Sequence, residues 1–223
     1  MPAPYPEASP INGGCIVVPH FLTLLLVCDD SAVTNIDGAS RYSTLIDPEI
    51  AAALTALPLG EMNATSAAAF NAALAAGVVP RPALADSVVR TQHVVPGSTA
   101  RLRLHRPVGA VGALPCIYWV HGGGYVVGDY EMDDLRLQKW CEQLACCVVA
   151  VDYRLAPADP YPAALDDCQA GLHWVLANAA ELEIDPTRLG VGGESAGGGL
   201  AAALALRERD RGAATFAFQL LLY

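Results

Sequence analysis

The residues of this chain best suited to chemistry form the run Gly193-Glu194-Ser195-Ala196-Gly197, which has the pattern G-x-S-x-G. In this pattern a sharp turn between a strand and a helix exposes a serine hydroxyl. Glycines flank the serine because the turn brings helix and strand too close together for side chains. The first amides of the following helix, including that of Ala196, can donate hydrogen bonds to an oxyanion. The run therefore predicts a serine nucleophile for acyl transfer.

A serine hydroxyl is a weak nucleophile until a base takes its proton and a third group orients that base. In enzymes with this turn, the serine is followed along the chain by an acid and then by a histidine. Here the last histidine is His173, and the carboxylates after Ser195 are Glu208 and Asp210. The sequence thus predicts a nucleophile without the acid and base of a catalytic triad.

A second run suited to the same chemistry is His121-Gly122-Gly123-Gly124, which follows an apolar segment and precedes the serine. Successive glycines expose backbone N–H groups with no side chain in the way, which suits the second half of an oxyanion hole. The alternative is a flexible glycine loop. The position at a strand end, ahead of a G-x-S-x-G turn, favours the oxyanion hole.

The elements that must position both runs have the pattern of an α/β protein. We predict a hairpin over residues 88–95 and 100–106, further strands over 116–120, 147–151, 189–192 and 216–223, and helices over 133–144, 162–179 and 199–209. Residues 116–120 and 147–151 are continuously apolar, as expected for strands covered on both faces. The alternation predicts a mostly parallel sheet with right-handed crossovers.

With the run Asp152-Tyr153-Arg154-Leu155-Ala156-Pro157, these motifs resemble the hormone-sensitive-lipase-like carboxylesterases of the α/β-hydrolase fold. The resemblance extends over residues 45–223 and implies a serine carboxylesterase for short-to-medium acyl esters, without metal or organic cofactor. Members of the family continue beyond the length of this chain and supply the acid and the histidine there. We therefore expect a C-terminally incomplete fold and an inactive isolated chain.

The resemblance also implies a role for each motif residue. Ser195 would be the nucleophile. The oxyanion hole would comprise Gly122, Gly123, Gly124 and Ala196, with the amides of the last three as donors and Gly122 shaping the loop. Structural roles would fall to His121, Gly193 and Gly197, and Asp152 and Arg154 would brace a turn.

Two other functions share this pattern. One is a non-catalytic ligand-binding protein or receptor, because the plant gibberellin receptors resemble these esterases while lacking the histidine. The other is an amidase or deacetylase that uses the same apparatus. A small-molecule ester remains the expected substrate.

The remaining sequence sets the expected organisation. We predict an atypical extension over residues 1–42, a small helical cap over 43–82 and the α/β-hydrolase core over 83–223. The apolar segment 15–28 is too short to span a bilayer and contains Pro19 and His20. No basic residue precedes it, as one would in a signal peptide, so we expect a cytoplasmic protein.

The composition of the chain limits the kinds of partner that we expect it to bind. A net charge of -10 with a single lysine, Lys139, argues against nucleic acid. The seven cysteines lack the spacing of a zinc site and are expected to be buried small hydrophobes. We expect Asp166 and Asp167 to face solvent on their helix. The apolar strand 216–223 would leave an exposed edge, which predicts a homo-oligomer or pairing at that edge.

Overall fold

A computed structural model describes residues 47, 63–79, 81, 83–213 and 216–223. The predicted extension 1–42 and nearly all of the first half of the predicted cap lie outside the described residues. The chain divides into two compact units, Met1–Glu61 and Met62–Tyr223, and the account below concerns the second.

The described part of this unit contains four helices and six strands. The helices are α1 (Ala64–Ala75), α2 (Asp134–Leu144), α3 (Ala163–Ala177) and α4 (Ala196–Arg211). The strands are β1 (Val88–Val94), β2 (Arg101–Pro107), β3 (Leu114–Val120), β4 (Cys147–Asp152), β5 (Ile184–Glu194) and β6 (Gln219–Leu222). Every element predicted from residue 88 onward is present. However, β5 begins earlier than predicted and β6 is only four residues long.

The six strands form one mixed sheet in the order β1-β2-β4-β3-β5-β6. The β1–β2 and β2–β4 pairs are antiparallel, whereas β3 and β5 each run parallel to both of their neighbours. Helix α2 contacts β1, β2 and β4, while α3 and α4 pack together against the sheet. No helix in the described ranges is long and apolar enough to cross a membrane. The predicted α/β architecture is present, with helices on both faces of the sheet.

Two buried clusters fill the two sides of this sheet. Trp119 contributes to one of them and meets Trp140 edge-to-face, with ring centroids 5.0 Å apart. The preceding residue of β3, Tyr118, contributes to the other cluster, on the opposite face of the sheet. Its hydroxyl donates a hydrogen bond to the carbonyl of Cys168 at 2.9 Å. Alternate residues of β3 thus serve both faces, which explains why its sequence is apolar throughout.

The five cysteines in the described part of the chain are free and buried, as expected of small core hydrophobes. Burial raises the pKa of Cys141 to about 12 and that of Cys146 to about 11. These thiols are therefore protonated near neutral pH and unreactive.

The prediction that Asp167 faces solvent is wrong, because only 1% of this residue is exposed. Its carboxylate accepts hydrogen bonds from the guanidinium of Arg154 at 2.8 and 2.9 Å. It also lies 3.3 Å from the hydroxyl of Ser98 and from that of Thr99, in the turn between β1 and β2. The neighbouring Asp166 is half exposed, as expected.

A second buried carboxylate joins α3 to α4. Glu208 is fully buried and accepts hydrogen bonds from Gln169 at 2.5 Å and from His173 at 2.9 Å. Burial alone would raise the pKa of Glu208, but these two hydrogen bonds hold it below the ordinary value. The hydrogen bonds from Gln169 and His173 therefore stabilise the packing of α3 against α4 while the Glu208 carboxylate stays ionised.

Candidate active site

The serine turn lies directly between β5 and α4. Ser195 has φ 53° and ψ -120°, a sparsely populated backbone conformation for a residue with a side chain. Two hydrogen bonds hold it there: its amide donates to the carbonyl of Leu222 at 2.8 Å, and its own carbonyl accepts from the amide of Gly199 at 3.1 Å. The residue is exposed, and its hydroxyl makes no capping bond to α4. The hydroxyl is thus available to a ligand.

The two glycines of the motif lie where no side chain fits. A Cβ atom at Gly197 would lie 2.1 Å from the carbonyl oxygen of Val120 and 2.4 Å from that of His121. A Cβ atom at Gly193 would lie 2.2 Å from the carbonyl oxygen of Gly197. Real Cβ atoms do not approach oxygen this closely. The close contact of helix and strand predicted from the sequence is therefore present at both positions.

The sheet register brings the glycine loop to the serine. Val120 at the end of β3 is paired with Gly193 of β5, so the loop that follows β3 begins beside the serine turn. A Cβ atom at Gly122 would lie only 3.5 Å from Cβ of Ser195. Gly123 and Gly124 have φ values of +115° and +62°, which favour glycine. The loop thus depends on its glycines for both its backbone shape and its proximity to Ser195.

Three amides at this site are free to donate. The N–H groups of Gly123, Gly124 and Ala196 have no hydrogen-bond acceptor among the residues that the structure describes. Unpaired amides beside an exposed hydroxyl can stabilise negative charge that develops on a carbonyl oxygen. The start of α4 adds the positive end of the helix dipole.

His121 is buried beneath the glycine loop. Its Nδ1 atom lies 2.7 Å from the carbonyl oxygen of Gly122, so Nδ1 carries the proton and donates it. Its ring stacks on Tyr153 with centroids 4.2 Å apart, and the Tyr153 hydroxyl donates to the His121 carbonyl at 2.9 Å. Burial lowers the pKa of His121, and no hydrogen bond joins it to Ser195 within the described part. These contacts suit a brace for the loop.

One support of the loop was not found from the sequence. Asn71 of α1 donates a hydrogen bond to the carbonyl of Val126 at 2.8 Å and accepts one from the amide of Gly128 at 3.1 Å. Its amide group thus fastens α1 to the segment that continues the glycine loop. The only available signal was a polar residue in an Ala-rich helix, which does not indicate a partner 55 residues away.

The predicted brace after β4 uses two separate ion pairs. Asp152 accepts from Nε of Arg101 at 2.9 Å, across the antiparallel β2–β4 pair. Arg154 reaches Asp167 of α3. Both ion pairs therefore connect structural elements, and neither Asp152 nor Arg154 is hydrogen-bonded to Ser195. In the described part, no group of three or more metal-ligating side chains is present.

Comparison with known proteins gives the class of this fold. Residues 117–223 match the family model described as alpha/beta hydrolase fold. This match supports the α/β-hydrolase fold for these residues.

The chain is also similar to carboxylesterases. It is 43% identical over 122 residues to the carboxylesterase NlhH of Mycobacterium tuberculosis, covering 55% of this chain and 38% of that protein. It is 38% identical over 138 residues to an ethyl acetate hydrolase of Pseudomonas putida, covering 60% of this chain and 42% of that enzyme. Among solved structures, a bacterial heroin esterase superimposes with a TM-score of 0.68 at 38% identity, covering 78% of this chain and 56% of that one. The chain thus spans about two fifths of the length of these curated relatives.

Proposed function

We propose that Ser195 is the nucleophile of a carboxylic-ester hydrolase that acts through an acyl-serine intermediate. The observation that carries the proposal is an exposed hydroxyl at a strained turn beside three unpaired amides. The ester-hydrolysing relatives support the same reaction class. Ser195 would attack the ester carbonyl, the amides of Gly123, Gly124 and Ala196 would hold the oxyanion, and water would release the acid. Gly122, His121, Gly193 and Gly197 would shape the loop and turn.

We propose that the 223-residue chain alone is inactive toward esters. In the described part of the chain, no histidine or carboxylate hydrogen-bonds to Ser195. Without a base the serine retains only oxyanion stabilisation and binding, and loss of one triad member costs several orders of magnitude in rate.

Hydrolysis of p-nitrophenyl butyrate tests both proposals. The 223-residue chain should match its Ser195→Ala variant. A protein expressed with whatever coding sequence follows codon 223 should hydrolyse the ester, and Ser195→Ala should abolish that activity. Serine-dependent turnover by the shorter chain would contradict the inactivity proposal, and no turnover by the longer protein would contradict the enzyme proposal. A series of acyl lengths would test the proposed preference for short-to-medium chains.

A non-catalytic ligand-binding protein is the second candidate, favoured by the absence of a base bonded to Ser195 among the described residues. It predicts that the longer protein binds small esters or acids without turnover. Equilibrium binding measured beside the hydrolysis assay separates the two functions.

We further propose pairing of two chains along β6. Within the described part, β6 pairs with β5 alone, and Leu221 is 47% exposed on it. An apolar edge strand offers unpaired backbone groups to a second strand. Light scattering of the 223-residue chain should show a dimer that Leu221→Lys dissociates, and a monomeric unsubstituted chain would contradict the proposal.

The buried free cysteines also support a reducing, cytoplasmic location, which fractionation of cells would test.

A further inference from the structure

An ion pair joins the residue before the nucleophile to helix α2. Glu194 ends β5, and its carboxylate pairs with the guanidinium of Arg136. Arg136 also pairs with Asp133 and lies over the ring of Trp119, 5.0 Å from its centroid. Burial opposes the charge of Arg136, but Asp133 and Glu194 raise its pKa above the ordinary value. Arg136 is therefore a cation held in one place.

The charge of Glu194 matters because of where it lies. Glu194 is next to Ser195 in the chain. Attack of Ser195 on an ester would create an oxyanion close to the Glu194 carboxylate. A carboxylate without a cation would repel that oxyanion, whereas the start of α4 attracts it. Glu194 and Arg136 are 28% and 32% exposed, so water screens this repulsion only in part.

The other groups around this carboxylate do not neutralise it. The hydroxyl of Tyr223 is hydrogen-bonded to Glu194, which raises the pKa of Tyr223 and keeps it uncharged. An open groove of about 650 Å³ lies against Glu194, and its other charged lining residues are Asp133, Arg136 and Lys139. Among the described residues, Arg136 is the cation that pairs with Glu194.

We propose that Arg136 is a positioning residue for Ser195: by pairing with Glu194 it offsets the carboxylate's charge, so that the start of α4 remains favourable to an anion at the serine. The inference rests on the proposed function of Ser195 as nucleophile. It goes beyond that function by assigning an electrostatic role to a residue on a helix that carries none of the motifs.

A cysteine at position 195 tests this in the 223-residue chain without substrate or base. In a Ser195→Cys variant the thiolate takes the place of the anion, and the pH dependence of alkylation by iodoacetamide gives the thiol pKa. Trypsin cleaves after Arg188 and Arg207, and the peptide between them contains none of the seven natural cysteines. Mass spectrometry of that peptide therefore follows the introduced thiol alone.

In the Ser195→Cys background, Arg136→Gln should raise the thiol pKa by about half a unit, the order expected when one extra negative charge on the neighbouring residue is screened by water. Adding Glu194→Gln should restore the original pKa, because the charge that needed compensation is gone. Arg136→Lys should keep the original thiol pKa, because the positive charge remains. Arg209→Gln is the matched control, since it removes a cation from the far end of α4, where Arg209 pairs with Asp210, and should cause no shift.

In the Arg136→Gln variants, two results would overturn the proposal. An unchanged pKa in Arg136→Gln would mean that the charge does not act at position 195, and a raised pKa that persists in the double variant would mean that the pair acts through packing. If Arg136→Gln does not fold, Glu194→Gln alone should lower the thiol pKa, because it removes one negative charge beside position 195 while Arg136, still paired with Asp133, remains a cation. No lowering would overturn the proposal equally. Failure of ester hydrolysis is separate, since the thiol titration needs no turnover.

Discussion

Gly197→Ala tests whether the serine turn depends on contact between the helix and the neighbouring strand end. The substitution places a methyl group 2.1 and 2.4 Å from two backbone carbonyl oxygens. Backbone atoms cannot move aside as the end of a flexible side chain can. The start of α4 must therefore shift away from the glycine loop.

The magnitude follows from two opposing effects. Overpacking of a buried site costs about 3 kcal/mol at the upper end of its usual range. Replacing glycine by alanine within a helix contributes about 1 kcal/mol in favour of folding. We expect Gly197→Ala to lower the free energy of unfolding by about 2 kcal/mol.

Gly199→Ala is the matched control on the same helix. The nearest atom to a Cβ there is the hydroxyl oxygen of Tyr125 at 2.8 Å, on a side chain that is 42% exposed and free to move. Only the helix preference remains, so this variant should be unchanged or more stable by up to about 1 kcal/mol. Urea unfolding followed by the fluorescence of the three tryptophans measures both variants. Equal stability of the two alanine variants would refute the reasoning.

Three further substitutions are predicted. Asn71→Ala should cost about 1–2 kcal/mol and speed amide hydrogen exchange in residues 126–128, because two hydrogen bonds to that segment are lost. Asp167→Asn should lower stability in urea by about 3 kcal/mol, since it breaks an ion pair whose carboxylate is buried, whereas Asp166→Asn should have almost no effect. Glu208→Gln should be less stable than the unsubstituted chain at pH 7, and unfolding measured against pH should show the difference shrinking as the pH falls below about 4.5.

The sign of the Glu208 prediction follows from its pKa, which is lower in the folded chain than in the unfolded one. The carboxylate therefore stabilises the fold fully above the unfolded value, and this contribution is lost as the pH falls through the folded value. A constant difference between variant and unsubstituted chain from pH 7 to pH 3 would contradict it. For Asn71 and Asp167, the contradicting result is stability within about 0.5 kcal/mol of the unsubstituted chain.

Much of the fold could be predicted because its signals are local. The continuous apolar runs of β3 and β4 reflect burial on both faces, and the glycines of the serine turn reflect close contacts that the structure contains. The extent of β5 was harder, since its early part contains Asp185-Pro186-Thr187, which has the composition of a turn. Pairing of Leu114 with Ile184 extends the strand past an irregularity in register that sequence periodicity cannot show.

The polar contacts could not be predicted because each depends on a partner distant in sequence. Asp167 has helical spacing that is compatible with solvent, and it is buried only because Arg154 and the turn between β1 and β2 meet it there. Glu194 likewise has the spacing of a residue that points away from the nucleophile, and nothing in the G-x-S-x-G run indicates Arg136 as its partner. Periodicity predicts which face a residue lies on, but it does not predict what covers that face.

The backbone at Ser195 favours a catalytic role over a structural one. A residue held in a sparsely populated conformation costs of order 1–3 kcal/mol, and surrounding contacts must offset that cost. A structural serine would repay it with a capping hydrogen bond to α4, but the Ser195 hydroxyl makes none. The strain instead leaves the hydroxyl exposed beside amides that have no acceptor in the described part of the chain. Strain, exposure and unpaired donors thus coincide at the one residue where acyl transfer would require all three.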